Sequence, residues 1–351
     1  MMDVVKIFAP PALAFVIGIA ITPIVTHYLF RYKVWKKTPG KVAMDGTVAV
    51  EFNKIDNGRE ARVPRMGGIV IWASVLLTTV LLWAVARLFP DSSLAGLDFV
   101  SRSQTWIPFA TLIFGALVGL LNDWYDVAYG GKGIRLRTRL LLVSILALAL
   151  GWWFYDKLDV VSIGLPYDGE VFLGPLIIPF FVFMALSLYA SGVIDGIDGL
   201  SGGVFATVFT AYGVVAYYQQ QFDLAAFCAT VAGGILAFLW FNIPPARFWM
   251  TETGTMALTL TLAVVVFMSD NLGAGHGIAV LPIIGFPLFV TVLSDMIQIG
   301  AKKLFGKKVF RIAPLHHHFE ALGWPGYKVT MRYWIISIIC AIIGMTIAIT
   351  A

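Results

Sequence analysis

Apolar residues run along this chain in long blocks separated by short polar stretches, and the blocks are long enough to cross a bilayer. Ten candidate spans follow, at roughly 7–30, 67–89, 105–121, 138–155, 173–190, 201–219, 223–241, 254–269, 276–299 and 331–350. A helix needs about 20 apolar residues to cross the hydrocarbon layer, so 105–121 and 254–269 are the short ones. Pro282 and Pro287 predict a kink or break inside the ninth span. The first run, Ile7 to Phe30, is too long for the apolar region of a signal peptide and reads as a span. The pattern predicts an all-α integral membrane protein, one polytopic domain over residues 1–351.

Composition agrees. Of the 351 residues, 59% are hydrophobic and 13% charged, against about 25% charged in soluble domains, which leaves little room for a separate soluble domain. Cys228 and Cys340 each lie inside an apolar run, so no disulfide framework is indicated and both read as small buried hydrophobes. Nucleotide P-loops, dinucleotide fingerprints and the H-E-x-x-H of metalloproteases are absent, and no nucleic-acid partner is expected.

Charge gives the orientation. The loops after spans 1, 3, 5, 7 and 9 hold 21 of the 25 Lys and Arg residues. The excess of basic residues places these loops in the cytoplasm and both termini outside. A basic face against anionic lipid accounts for many of them without any chemistry.

The same loops collect acids. The first contains V-P-R-M-G-G, Val63 to Gly68, a tight small-residue approach to span 2. The second contains G-L-L-N-D-W-Y-D, Gly119 to Asp126, followed by Lys132, Arg135, Arg137 and Arg139. Asp123 and Asp126 share a face if the helix continues, either as interfacial ion-pair partners or as part of a site. The third is V-I-D-G-I-D-G-L-S-G-G, Val193 to Gly203. Asp195 and Asp198 have no Lys or Arg in their loop, which is costly at a membrane edge unless a cation binds. Magnesium, which uses one or two carboxylates plus substrate phosphates, is one candidate. The fourth is F-N-I-P-P-A-R-F-W-M-T-E-T-G-T, Phe241 to Thr255, with Glu252 just before span 8. Its Trp249 reads either as an interfacial aromatic or as a platform for a nucleobase. The fifth is R-I-A-P-L-H-H-H-F-E-A-L-G-W-P, Arg311 to Pro325, where His316, His317 and His318 stand side by side with Glu320 two residues on. Imidazoles titrate near neutral pH, bind metals and donate to phosphate oxygens. Carboxylates, histidines and bases on one face suit a cytoplasmic active-site cleft for chemistry on a phosphorylated, membrane-embedded substrate.

These motifs carry a resemblance over nearly the whole chain. The sequence resembles the polyprenyl-phosphate N-acetylhexosamine-1-phosphate transferase superfamily. A-P-L-H-H-H-F-E, the G-W-P after it and R-Y-W-I-I at 332–336 are similar to its phospho-N-acetylmuramoyl-pentapeptide transferase branch rather than to the GlcNAc-phosphate branches. D-G-I-D-G-L and F-N-x-x-P-A-x-x-x-M-x-E-T-G support the superfamily. The resemblance implies transfer of phospho-MurNAc-pentapeptide from its UDP carrier to undecaprenyl phosphate with Mg²⁺, giving lipid I and UMP. It implies a multi-pass protein of the bacterial inner membrane, with membrane lipid around it and a homodimeric assembly. It also implies site roles. Glu252 matches a metal-binding aspartate, and Asp123 matches the second acid of a catalytic Asp-Asp pair and a second metal ligand. Asp195, Asp198, His316, His317 and His318 match catalytic positions. Asn242, Trp249, Gln298, Lys132 and Glu320 match substrate-pocket positions, Trp249 standing where a uracil-stacking Phe is usual. The departures fall in the same places. Asn122 replaces the first acid of the pair, Glu252 replaces Asp, Arg65 stands where a small hydroxyl is usual, and Tyr189 and Gly192 replace an Asn-rich lead into D-G-x-D-G. A transferase using another UDP-HexNAc donor, or an inactive relative that binds lipid phosphate or nucleotide, are the alternative readings.

Overall fold

A backbone in hydrocarbon must satisfy its own N–H and C=O groups, so the apolar blocks become helices. The computed structural model describes residues 2–37, 61–131, 133–167, 169–271 and 275–350, with Gly40, Asn53 and Gly58. Among them the helices are α1 (Met2–Arg31), α2 (Ile69–Leu88), α3 (Trp106–Ala128), α4 (Leu136–Leu158), α5 (Ile177–Ala190) and α6 (Leu200–Tyr218). They continue with α7 (Phe222–Asn242), α8 (Thr251–Asn271), α9 (Gly277–Ile284), α10 (Phe286–Phe305), α11 (Leu315–Ala321) and α12 (Gly326–Thr350). Among the described residues nine stretches of helix are individually long and apolar enough to span a membrane, and α9 with α10 forms a tenth, bent by 70°. The bend falls at Gly285, between the two prolines that predicted it. Fold class and span count therefore match the sequence pattern.

Three boundaries differ in ways that matter for the site. Helix α3 runs on to Ala128, so Asp123 and Asp126 lie on one continuous helix. Helix α8 starts at Thr251 rather than 254, which puts Glu252 in its first turn. The histidines lie on the short helix α11 rather than in an open loop.

Burial is graded across the bundle. Helix α8 has 89% of its spanning window inside the protein, and α6 and α7 have 78%, whereas α1 has 17% and α4 22%. The polar residues of α8 that this requires are small: Thr259 and Thr261 return their hydroxyls to carbonyls one turn back. Around its C-terminal half, Phe267 meets Phe154 and Phe181 at ring separations of 5.0 and 4.8 Å, the second edge-to-face, within the range aromatic rings favour.

Small residues let the inner helices approach closely. A Cβ placed on Gly119 of α3 would lie 2.1 Å from the Glu252 carbonyl oxygen, and one on Gly115 would lie 2.8 Å from the Ala257 Cα. At the mouth of α2, a Cβ on Gly68 would lie 2.3 Å from the Gly254 nitrogen. The paired glycines of V-P-R-M-G-G thus seat the first loop directly on the start of α8.

At the opposite end of the bundle, β1 (Ser162–Leu165) and β2 (Gly169–Phe172) form an antiparallel hairpin that the sequence pattern did not announce. Asp270, near the end of α8, accepts from the Gly164 N–H at 3.0 Å and the Ile278 N–H at 3.1 Å. One carboxylate so joins the hairpin, α8 and the entry to α9.

Replacing Gly119 by Ala should lower unfolding stability in detergent by about 1–3 kcal/mol through overpacking. Gly300→Ala is the control, because no atom lies within 4 Å of its added methyl. Thermal unfolding of the two variants beside the parent reads the difference.

Candidate active site

The first N–H groups of a helix have no partner within it. At the start of α8 they are met by two carboxylates from different segments. Asp123, on α3, is fully buried. Its Oδ2 accepts from the Thr253 N–H at 2.8 Å, the Thr253 hydroxyl at 2.6 Å and the Thr251 hydroxyl at 2.5 Å. Asp195, between α5 and α6, accepts from the Thr251 N–H at 2.8 Å and the Ser201 hydroxyl at 2.6 Å. Glu252 lies between these two points of attachment, paired with Arg139 of α4. Three acids thus share the positive end of one helix dipole. Burial pushes the Asp195 carboxyl above the ordinary carboxylate range, and the Asp123 charge adds to the push; the Ser201 and Thr251 hydrogen bonds and Arg65 oppose it.

Thr251 is held in an unusual backbone conformation, φ +54°. A β-branched residue pays steric strain there. The strain is held by three bonds: its N–H to Asp195, its hydroxyl to Asp123, and the Met66 N–H donated to that hydroxyl at 3.1 Å.

The first loop is laced to the same place. The Trp249 N–H donates to the Pro64 carbonyl at 2.9 Å, the Gly67 N–H to the Trp249 carbonyl at 2.8 Å, and the Gly68 N–H to the Met250 carbonyl at 3.2 Å. Arg65 is carried by this ladder. Its guanidinium spans two acids of α3, at 3.5 Å from Asp123 Oδ1 and 3.1 Å from Asp126 Oδ2.

The histidines arrive from the far side. A Cβ on Gly196 would lie 2.3 Å from His316 Nε2 and 2.7 Å from His317 Nε2, so only a glycine lets both rings reach the loop that bears Asp195. Both are buried, with ring centroids 4.3 Å apart. Glu320 sits 2.7 Å from His317 Nδ1. That contact favours the proton on Nδ1 and leaves Nε2 facing Gly196.

The other residues singled out from the sequence stand behind this group. Asp198 accepts from the Ala246 N–H and the Trp249 indole N–H, both at 3.0 Å. That indole bond sets the orientation of the half-buried Trp249 ring. Asn242 is buried; its oxygen accepts from the Gly199 N–H at 2.9 Å and its nitrogen donates to the Phe248 carbonyl at 2.8 Å. Gln298 is turned to the Val309–Phe310 backbone, accepting from both N–H groups at 3.0 Å and donating to the Phe310 carbonyl at 2.9 Å. His318 accepts from the Arg311 N–H at 3.1 Å. Within the described residues these four side chains brace loops. Lys132 lies outside the described residues.

Comparison with known proteins decides the lineage. A phospho-N-acetylmuramoyl-pentapeptide-transferase of Geobacillus sp. is 31% identical over 339 residues, 95% of each chain. That of Chloroflexus aurantiacus is 32% identical over 302 residues, 81% of this chain and 77% of its own. The chain belongs to the phospho-N-acetylmuramoyl-pentapeptide-transferase family. A relative of that name in Francisella tularensis subsp. novicida is 32% identical over 333 residues, 87% of this chain and 84% of its own. The profile of Glycosyl transferase family 4 matches residues 105–270, the stretch from α3 to the end of α8.

A magnesium ion, implied by the family resemblance, can be tested against the side chains. Among the described residues no three His, Cys, Asp or Glu side chains converge into a ready metal cage. Magnesium does not need one, since one or two carboxylates and substrate phosphates suffice. Asp123 Oδ1 is buried with no hydrogen-bond donor, and the Glu252 side chain is 26% exposed at the helix mouth. That donor set fits the ion.

The residues at which the resemblance implies others acquire positions. Asn122 accepts from the Ile134 N–H at 3.0 Å and so holds the turn after α3. Arg65 and Arg139 face Asp123 and Glu252 directly. Sequence reading passed over Thr251, Thr253, Ser201 and Arg139 as site residues. The alternation T-E-T around Glu252 was the available signal for the two threonines.

Thr253→Val should remove one donor from a buried carboxylate, costing about 1–3 kcal/mol of stability, and should lower kcat. Thr253→Ser should restore both. Unfolding and turnover of the two variants, measured together, separate the hydroxyl from the methyl.

Proposed function

We propose that this protein transfers phospho-MurNAc-pentapeptide from UDP-MurNAc-pentapeptide to undecaprenyl phosphate, releasing UMP and forming lipid I for peptidoglycan synthesis. The reaction takes place at the cytoplasmic side of a bacterial inner membrane, with both chain termini on the outer side. The observation that carries the reading is the convergence of Asp123, Asp195, Glu252, His316 and His317 at one end of the bundle, in a chain alike over its length to transferases of that name. The basic residues of the surrounding loops support the orientation.

The chemistry follows from charge. A phosphate monoester has a second pKa of about 6, so the lipid phosphate is already largely ionised near neutral pH. It needs positioning more than a strong base. One of its oxygens bonds to the phosphorus that carries the sugar. The bond from that phosphorus to the bridging oxygen breaks, and UMP leaves with the electron pair. Charge grows on the transferring group's oxygens and on UMP, and preorganised donors in a water-poor site are what lower such a barrier. Arg139 is a charged donor at hand, and His316 and His317 present their Nε2 atoms to the loop that bears Asp195. Glu252 and Asp123 would hold Mg²⁺, which when bound neutralises phosphate charge and stabilises the leaving nucleotide. Asp195 keeps Thr251 and the start of α8 fixed beneath them. The half-buried Trp249, oriented by Asp198, stands beside this group for the nucleobase.

Asn122 does not speak against activity. Its amide oxygen serves the turn at Ile134, and the neighbouring Asp123 retains the charge at the start of α8.

Purified protein with undecaprenyl phosphate, Mg²⁺ and UDP-MurNAc-pentapeptide should release UMP. Glu252→Ala should reduce the rate at least about a hundredfold, and UDP-GlcNAc should not substitute as donor. Release with UDP-GlcNAc alone would move the protein to a sister specificity.

A further inference from the structure

Asp123 is offered two cations. Its Oδ1 is the buried oxygen that a divalent ion would take, and it already faces the Arg65 guanidinium at 3.5 Å. Arg65 cannot drift away, because its backbone N–H donates to the Val34 carbonyl at 2.7 Å and its neighbours are hydrogen-bonded to residues 249–251. The guanidinium also has a second acceptor: its other terminal nitrogen lies 3.1 Å from Asp126, which points from the same face of α3. A planar fork with separate donors can release one acid and keep the other.

We infer that Arg65 is a tethered counter-cation that competes with the divalent ion for Asp123. Without donor substrate the guanidinium bridges Asp123 and Asp126. When the ion takes Asp123, the fork withdraws onto Asp126 alone. The inference rests on the assignment of Asp123 and Glu252 as the metal ligands. It makes Arg65 a positioning residue that sets metal affinity. It also gives a physical consequence to an arginine placed where the family resemblance has a small hydroxyl: this chain requires more free Mg²⁺ for half-maximal turnover than a variant carrying threonine.

The test is direct binding of Mn²⁺ to the full-length protein in detergent, without donor, read from the loss of the free-ion EPR signal. Arg65→Thr should bind Mn²⁺ roughly tenfold tighter or more, as expected for removing a charge this close to a buried ligand. Arg65→Lys, whose single ammonium cannot span both acids, should fall between the two and serves if the threonine variant does not fold. Arg62→Thr removes the same charge from the same loop and should leave the affinity unchanged. Equal affinity in the parent, Arg65→Thr and Arg65→Lys, with binding abolished by Glu252→Ala, overturns the competition and leaves the metal assignment standing. A gain in Arg62→Thr as large as that in Arg65→Thr assigns the effect to net charge and also overturns it. No Mn²⁺ bound by any folded variant overturns both the competition and the metal assignment.

Discussion

A carboxylate that is wholly out of water must be held by donors, and Asp123 is held by the first turn of α8. Most of the site follows from that one requirement. For the first turn of α8 to reach Asp123, α3 must lie close enough to α8 for Gly119 to rest on the Glu252 carbonyl. To offer both hydroxyls and an N–H, the chain must enter α8 through a strained Thr251. To hold Thr251, the loop between α5 and α6 must bring in Asp195, and the segment before α2 must bring in Met66. Three separate segments therefore meet at a helix N-terminus because its unpaired N–H groups and positive dipole are where buried acids are least costly.

The same requirement accounts for Asn122, Arg65 and Glu252, where the resemblance implies other residues. Asn122 is on the turn side of α3 and keeps a hydrogen bond that a carboxylate oxygen could also accept. Glu252 has Arg139 opposite it. Arg65 has two acids on one helix face. Each substitution is matched by a nearby partner rather than left as an isolated charge, which would be expensive at a membrane edge.

The fold was largely legible in the sequence, because a bilayer forces backbone satisfaction and length onto every span and leaves a readable apolar block. The break in the ninth span was legible for the same reason, since Pro282 and Pro287 each remove an N–H. The hairpin at Ser162–Phe172 was not, because two four-residue strands leave too short a pattern and their anchor is an Asp270 side chain a hundred residues on. In the site, the acids and histidines stood out because they are costly where they lie. Their division of labour did not. Asp198, Asn242 and Gln298 are of the right types to touch substrate, and only the positions of Gly199, Trp249 and Phe310 show which groups of the protein each of them also holds. Glu252 gave its charge away in the sequence but not its place within the helix, since the threonines beside it blur the start of α8.

Helix α8 touches almost nothing but protein along its length, while α1 and α4 present most of their surface outward. Helices in lipid answer changes of bilayer thickness by tilting. The burden of that adjustment falls on the outer helices. The helix whose first turn carries the acids is shielded from it, and its other end is tied down by Asp270. The bundle thus works as a sleeve: membranes of different thickness can reshape its exterior while the depth of the reacting groups stays fixed relative to one another.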